Sequence, residues 1–487
     1  MKKTLMFTCL SMGLVGLFSV QAWAEDAPQD TYSQTPLPLN EVVDQDVKTQ
    51  DDSSQEMPLP SVITKQPSMV IPKAVLTTAP TVDIPQLNRQ EIAGLHLDLL
   101  RKHVESLKGG GMFGGLFSSK SALHETLLQD IDIFFNIYPD LDYAAEVLFL
   151  RGKIHRLHNN EEQAALAWLQ ALHEFPDAEI STNTRQRLAD LLKKDWDDYA
   201  EQITPLFNSV QSADKATRLS HLINQLYQIE DKKLAQASLQ LQASFLKRFP
   251  QDNHADEVQV LMAHNLGSGS AESGVYAFKK LLALYSNSSY RVESMLAIAD
   301  LQRLRLKEYD NAAHGYKTLI EQHPTHQLTQ YAYQNLALTL NKHLRNYDEA
   351  INVYTSIIAL YPEDPMTLSA LQMIAKLQEK KTGAPRKAVA TLRQLATMFE
   401  GKEAVQALEQ AMKICERKLK DQMLLMEVQE QLVRDFPDSK AAPLALYDMA
   451  QYAEKELKDP NQALSLYQQF IQQYPEHKKA KEARKHL

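Results

Sequence analysis

From about Ile84 to Leu487 apolar residues recur three and four positions apart in long runs separated by short polar breaks. That spacing puts apolar side chains on one face of an α-helix, so the pattern predicts a succession of amphipathic helices. Several runs stop on an aromatic residue followed by proline, as in FFNIYPD, SFLKRFPQ, SIIALYPE, QLVRDFPD and the final FIQQYPE. Proline has no N–H to donate and disfavours helix in the residue before it, so each pair is a stop signal. Pro365, Pro385, Pro443 and Pro460 stand where a helix should begin, the position at which a missing N–H costs nothing.

The stops are periodic. Pro139, Pro176, Pro250, Pro324, Pro362, Pro437 and Pro475 are separated by 37, 74, 74, 38, 75 and 38 residues. The long gaps are two units each, and the missing members fall near Ala213, Ser286 and Glu400, the last two preceded by Tyr285 and Phe399. One unit of about 37 residues therefore recurs nine times between Pro139 and Pro475, the mark of a stacked repeat protein. Twelve residues before the proline slot stands Ala164, Ala312, Ala350, Ala388 or Ala463, and four residues later Trp168, Tyr316, Tyr354, Leu392 or Tyr467. Ala299, Ala337, Ala375 and Ala450 lie thirteen residues before those alanines, and Gly152 twelve before Ala164. Small against large on one helical face lets paired helices approach and interlock.

A small residue, a loop, an alanine, an aromatic four later and then proline resembles the tetratricopeptide repeat, most clearly in NLALTLNKHLRNYDEAINVYTSIIALYPEDP. The Tyr-Pro ending and the lengthened unit are similar to the envelope branch of that family. That branch includes the outer-membrane barrel-assembly lipoprotein and the Tol–Pal-associated periplasmic repeat protein. The resemblance covers roughly residues 140–487 and implies an all-α, right-handed solenoid of about ten helix pairs, its repeats at 140–475, behind a disordered tail. Departures are expected in two places. The copy around 178–213 has Pro205 inside its second helix, and the copy ending near Ser286 has Gly274 at the alanine slot within a flexible NLGSGSAESG. An additional pair, 85–139, precedes the clear units and contains a glycine-rich loop, 109–117, with Met112, Phe113, Leu116 and Phe117 at its tip. That tip is either an apolar element for peripheral contact with a partner or membrane surface, or a loop folded back on its own pair. Residues 476–487, HKKAKEARKHL with its leading Glu476, form a basic terminal cap.

Ahead of the helices the character changes. Residues 1–24 have a basic start, an apolar run too short to span a bilayer well, and Ala22-Trp23-Ala24, which together predict a secretory signal cleaved before Glu25. Cys9 lacks the setting of a lipid-modified cysteine, so the expected product is periplasmic and not a lipoprotein. Residues 25–84 carry eight prolines and no glycine, and 25–60 hold nine acids against Lys48. Such a segment does not fold alone. Its Pro-Leu-Pro repeats at Pro36 and Pro58 read as part of a tether or as two docking motifs for a partner's groove.

The formal charge of −9 becomes −9 − 2 = −11 once Lys2 and Lys3 leave with the signal, which argues against nucleic acid as the partner. Cys415 is then the one remaining cysteine, without a disulfide mate, on a face shared with Ala404, Leu408, Ala411 and Leu419. It is read as a core residue.

Catalytic and cofactor signatures are missing. GGGMFGG lacks the lysine and hydroxyl residue of a phosphate loop, HETLL at His124 lacks the second histidine of a zinc helix, and no G-x-S-x-G occurs. His155 and His158 share a helix face, as do His323 and His326, yet the sequence offers neither pair a third ligand. Soluble lytic transglycosylases carry an α-superhelix, and RVESML has their Glu-Ser pair at Glu293, but the residues that should follow are absent. The expectation is a non-enzymatic scaffold without cofactor or metal that binds envelope proteins. A peptidoglycan-acting enzyme or its regulatory subunit is the alternative, and a structural spacer a further one. By the resemblance, the ligand groove is lined from the first helix of each unit by Lys153 and Arg156; Asp300 and Arg303; Gln334, Leu338 and Asn341; Lys376 and Glu379; and Tyr447, Gln451 and Glu454.

Overall fold

The computed structural model describes residues 88–108, 118–138, 141, 143–208 and 213–487. The signal segment, the whole acidic tail with its Pro-Leu-Pro repeats, and the loop tip at Met112, Phe113, Leu116 and Phe117 lie outside the described residues. The chain divides into two compact units, Met1–Ile92 and Ala93–Leu487. Of the first, 88–92 is described, the start of a helix on which Asn88 and Glu91 cap each other's backbone N–H groups at 2.8 and 2.9 Å.

The second unit is a solenoid of antiparallel helices, and no strand occurs among the described residues. After the opening helices Arg89–Lys108 and Ser118–Ile137, pairs follow at Tyr143–Leu157 with Glu161–Glu174, Lys215–Tyr227 with Lys232–Arg248, and Ala255–Gly269 with Ala271–Leu284. They continue at Arg291–Leu301 with Tyr309–Gln322, Thr329–Leu338 with Tyr347–Leu360, and Pro365–Lys380 with Pro385–Met398. The last are Lys402–Ile414 with Gln422–Asp435 and Ala442–Lys455 with Pro460–Gln473. From Ser118–Ile137 onward each of these helices packs on the next.

Local chemistry explains the boundaries. Second helices begin on side-chain caps: Asn160, Asp231, Ser270, Asn346, Asp421 and Asp459 each accept a first-turn backbone N–H. They end on the aromatic slot. Phe175, Phe249, Tyr285, Tyr361, Phe436 and Tyr474 leave helical geometry while their N–H still bonds four residues back. Tyr285 does so before Ser286, so the turn survives without its proline. Six residues after the aromatic slot a hydroxyl closes the turn in three units, Ser181 donating to Phe175 O, Thr329 to His323 O and Thr367 to Tyr361 O. Three first helices widen into a π-helical last turn, at Gln302–Leu306, Thr339–His343 and Cys415–Leu419.

The core is the small-against-large pattern. Ala164, Ala299, Ala312, Ala337, Ala350, Ala375, Ala388 and Ala450 are completely buried beside Trp168, Tyr316, Leu392 and Tyr467. Cys415 is buried with Ala404, Leu408 and Ala411, and burial pushes its thiol up to about 11. In the first clear unit the partner is tryptophan, and its helix comes so close that a Cβ on Gly152 would lie 2.2 Å from Trp168 Nε1, which explains glycine in place of alanine. The stretch NLGSGSAESG corrects the flexible reading. One residue, Ser270, separates two helices there, and a Cβ on Gly274 would meet Gly267 Cα at 2.5 Å. These glycines permit a close helix approach and do not loosen the chain.

The weak copy is broken as its proline implies. Ser181–Asp195 is a helix, but its partner is a series of short turns, Asp197–Tyr199, Ala200–Ile203 and Thr204–Phe207, with Pro205 in the first turn of the last. Its irregularity lets the units on either side meet. Glu161–Glu174 packs on both Lys215–Tyr227 and Lys232–Arg248. The Glu174 carboxylate, fully buried, receives Arg248 Nη1 and Nη2 at 2.7 Å each and Gln170 Nε2 at 2.6 Å. Gln163 Nε2 donates to Ala237 O at 3.1 Å, and Arg218 caps the carbonyl end of the same helix at His173 O and Glu174 O.

Candidate functional site

The exposed face of the first helices is the surface on which a repeat of this design can present side chains to a ligand. Along it the residues divide into two sets. Gln334 and Lys376 are exposed and Leu338 is half-buried. Tyr331, 42% exposed, and Gln372, also exposed, stand three and four residues before Gln334 and Lys376 on the same helix faces. Neither was singled out in the sequence, although the i, i+3 and i, i+4 spacing points to both.

The other set is committed to structure. Arg303 Nε donates to Tyr316 Oη at 3.0 Å, and its Nη2 lies 3.3 Å from Asn335 Oδ1 and 3.6 Å from Asp300 Oδ1. Tyr316 also donates to Asp300, as does Asn335 Nδ2 at 3.1 Å. Burial raises the Asp300 carboxyl above its usual range, against the bonds from Tyr316 and Arg303, and burial followed by the Asp300 charge lifts the Tyr316 phenol well above its own. Asp300 and Arg303 thus lock one unit to the next and are not free groove charges.

Tyr447 is corrected more sharply. It is 1% exposed, ring to ring with Tyr467 and Phe470, and covered by Lys479 Nζ at 4.0 Å. Gln451 donates to its hydroxyl at 3.3 Å, and Glu454 accepts from Tyr467 and His486 at 3.0 Å each. The His486 ring stacks on Tyr467, and Ala480 and Ala483 are buried, so the basic terminal segment closes over these residues. At the other end Arg156 is held by Glu161 at 2.9 Å and by Asp195, and the Lys153 ammonium lies 5.4 Å from the Phe149 ring centre. Asn341 Nδ2 approaches Met373 Sδ at 3.4 Å, and Glu379 receives Lys418 at 2.9 Å and Gln410 at 3.3 Å.

A cleft of about 520 Å³ opens elsewhere, between Gly401–Lys402 and the turn Phe436–Ala441. Tyrosine hydroxyls tie successive turns elsewhere, Tyr285 reaching back to Pro250 O at 3.5 Å and Tyr474 to Pro437 O, on the cleft's own lining, at 3.0 Å. Phe436 has no hydroxyl with which to reach back to the turn after Phe399, and the residues six beyond these two aromatics are Val405 and Ala442, so the two turns that flank the cleft are not tied to each other in this way. Its lining mixes Lys402 and Lys440 with Glu409, Asp435 and Asp438.

The family comparison agrees with the period. The tetratricopeptide repeat model matches residues 293–326, 331–364 and 444–477. Those three segments carry tetratricopeptide repeats. The first two matched segments leave 327–330 between them, the end of the inter-unit turn and the start of helix Thr329–Leu338, where Thr329 makes its bond to His323 O. Among solved structures, a tetratricopeptide repeat protein from Parabacteroides merdae ATCC 43184 is similar at 16% identity over 55% of this chain and 98% of that one, TM-score 0.30. Naa15/Naa10 bound to HypK-THB is similar at 17% identity over 79% of this chain and 55% of that one, TM-score 0.32. The APC/C hetero-tetramer Cut9–Hcn1 is similar at 14% identity over 81% and 89%, TM-score 0.23. No curated protein sequence matches the chain. Tetratricopeptide repeats suggest a protein-interaction scaffold with protein partners, a fold that is typically non-catalytic. Among the described residues no helix is long and apolar enough to cross a membrane.

One buried histidine gives the repeat stack a pH dependence. His173 is completely buried; its Nε2 bonds Leu206 O at 2.8 Å and fixes the broken unit, while Nδ1 has no partner. Burial holds its proton affinity below the usual range against the opposing backbone bonds at Leu206 and Arg218, and the charges of His221 and Arg218 add to the lowering. The folded chain therefore keeps it neutral. Its contribution to stability is complete above about pH 6.5, the unfolded value, and is lost as pH falls from there through the lower folded value. The melting temperature of wild type is expected to fall more steeply from pH 7.5 to 5 than that of His173→Gln; parallel curves would refute the assignment.

Proposed function

We propose that this chain is an exported scaffold of the bacterial cell envelope that captures extended segments of partner proteins on the face formed by Tyr331, Gln334, Leu338, Gln372 and Lys376. The observation that carries the reading is that Tyr331, Gln334, Gln372 and Lys376 stay exposed on consecutive first helices, with Leu338 half-buried beside them, while the neighbouring polar residues are tied into inter-unit bonds. Neutral amides, an aromatic, a leucine and one lysine suit a polar, mildly acidic peptide whose backbone the glutamines can bond. Export is supported by the basic start, the apolar run and Ala22-Trp23-Ala24. The envelope is supported by the Tyr-Pro ending and long unit shared with envelope repeat proteins.

Crosslinking and pull-down from intact cells test the scaffold. The triple variant Gln334→Ala, Gln372→Ala, Lys376→Glu should fold, each exposed change altering stability by about 0.5 kcal/mol or less, and should recover partners several-fold less well. Tyr276→Ser, at a residue 71% exposed on a second helix, is the control. Equal recovery by the folded triple variant would remove the groove from consideration. Arg303→Glu is unsuitable as a probe, because it would break the Asp300–Tyr316–Asn335 lock. Export has its own test: the intact mass of the exported protein should begin at Glu25, and a mass that retains Met1 would count against it.

A further inference from the structure

The turns that join first to second helices share a backbone feature that the alanine and aromatic core does not require. From the unit of Arg291–Leu301 onward the chain passes through a left-handed residue at Lys307, Arg345, Gly383, Lys420 and Lys458, with φ between 51° and 64°. The next N–H then bonds six residues back, Glu308 to Gln302 O, Asn346 to Leu340 O, Asp421 to Cys415 O and Asp459 to Ala453 O, at 2.8–3.2 Å. Left-handed helix stops are ordinarily glycine, which has no Cβ to make that conformation costly. Gly383 shows that glycine fits the slot. The other four carry lysine or arginine, and all four are exposed.

A cation in the last helical turn already offsets the carbonyl end of a helix without left-handed backbone, as Lys380 and Lys455 do. The four strained cations are therefore not explained by the helices they end. Helices of the solenoid alternate in direction, so these turns line one edge and the inter-unit turns the other. Arg305 and Arg417 add exposed cations to the same edge, and Leu304 and Leu457 lie 39% and 37% exposed among them. Of the acids there, Asp421 and Asp459 cap the second helices, and Asp421 also takes Arg386. At the opposite edge, turns 323–328, 361–364 and 399–401 hold Glu363, Asp364 and Glu400 and no lysine or arginine. This polarity is set in a chain whose formal charge is −9. We propose that the edge headed by Lys307, Arg345, Lys420 and Lys458 docks on the phosphate headgroups of an anionic lipid bilayer. Cations repeated from unit to unit, with leucines exposed between them, match a surface of repeating charge with an apolar layer beneath it. A pocket for a single chain is not what they form; the cleft of about 520 Å³ opens between inter-unit turns, at the other edge. The inference does not rest on the peptide-binding face proposed above.

Co-sedimentation with vesicles provides the test. The full chain is expected to bind vesicles of phosphatidylglycerol and phosphatidylcholine in equal parts, to leave phosphatidylcholine alone in solution, and to be released as salt rises. The variant Lys307→Gly, Arg345→Gly, Lys420→Gly, Lys458→Gly should melt no lower than wild type, because glycine relieves the left-handed backbone. Its vesicle affinity should fall about fivefold for each cation removed. Lys279→Gln, Lys280→Gln, Lys402→Gln, Lys440→Gln removes as many exposed cations away from this edge and should bind as wild type does. Should the glycine variant fail to fold, Lys307→Gly with Arg345→Gly decides in its place. Equal losses in the edge and control variants would reduce the effect to net charge and overturn the proposal. So would a wild-type chain that ignores phosphatidylglycerol vesicles, or one that binds soluble polyglutamate in their place, which would make the edge a site for acidic protein.

Discussion

Glu174→Ala is expected to destabilise the N-terminal half of the solenoid by about 3–5 kcal/mol, the cost of leaving a buried partner charge unmatched. The carboxylate is fully buried and carries both Arg248 nitrogens and Gln170. Trp168 and Trp196, buried in this region, supply the readout. Their fluorescence in urea should report an earlier transition in the variant, while the circular dichroism of the remaining helices persists to higher urea. Glu174→Leu combined with Arg248→Met should recover most of the loss, since an apolar pair of similar volume avoids desolvating two ions. A single mutant that unfolds at the wild-type midpoint would mean the pair contributes nothing to joining units 74 residues apart in sequence.

Ala350→Asp is expected to open the middle of the solenoid locally, at a cost of about 3 kcal/mol or more, because a charge replaces a methyl group at a site with no accessible surface and no donor. Ala350 packs in the cluster of Leu336, Leu340 and Tyr316, so the damage should reach the pairs on either side. Stacked repeats touch only their neighbours, and the opening should stay within them. Amide exchange should rise across 326–400 and remain near wild type across 143–174. A uniform rise would show that the chain unfolds as one body.

How much of this was legible in the sequence follows from how far each cause acts along the chain. A helix face is set by residues three and four apart, and a stop by one proline acting on the residue before it. The helices, their caps and the 37-residue period could therefore be read directly. So could the alanine and aromatic core, because each pair of helices packs by the same local rule; Gly152 differs because Trp168 is larger than tyrosine. The fate of the polar residues could not. Asp300, Arg303 and Tyr447 occupy the positions from which a groove is built, yet they turn inward because the next unit brings Asn335 to the first two and the terminal segment brings Lys479 over the third. Glu174 and Arg248 look like ordinary surface charges until a broken unit lets their helices meet. Sequence determined the repeating unit, since propensity, capping and burial of one face are local energies. The tertiary structure decided which polar groups remain available for binding, since that depends on the side chains stacking brings from other units.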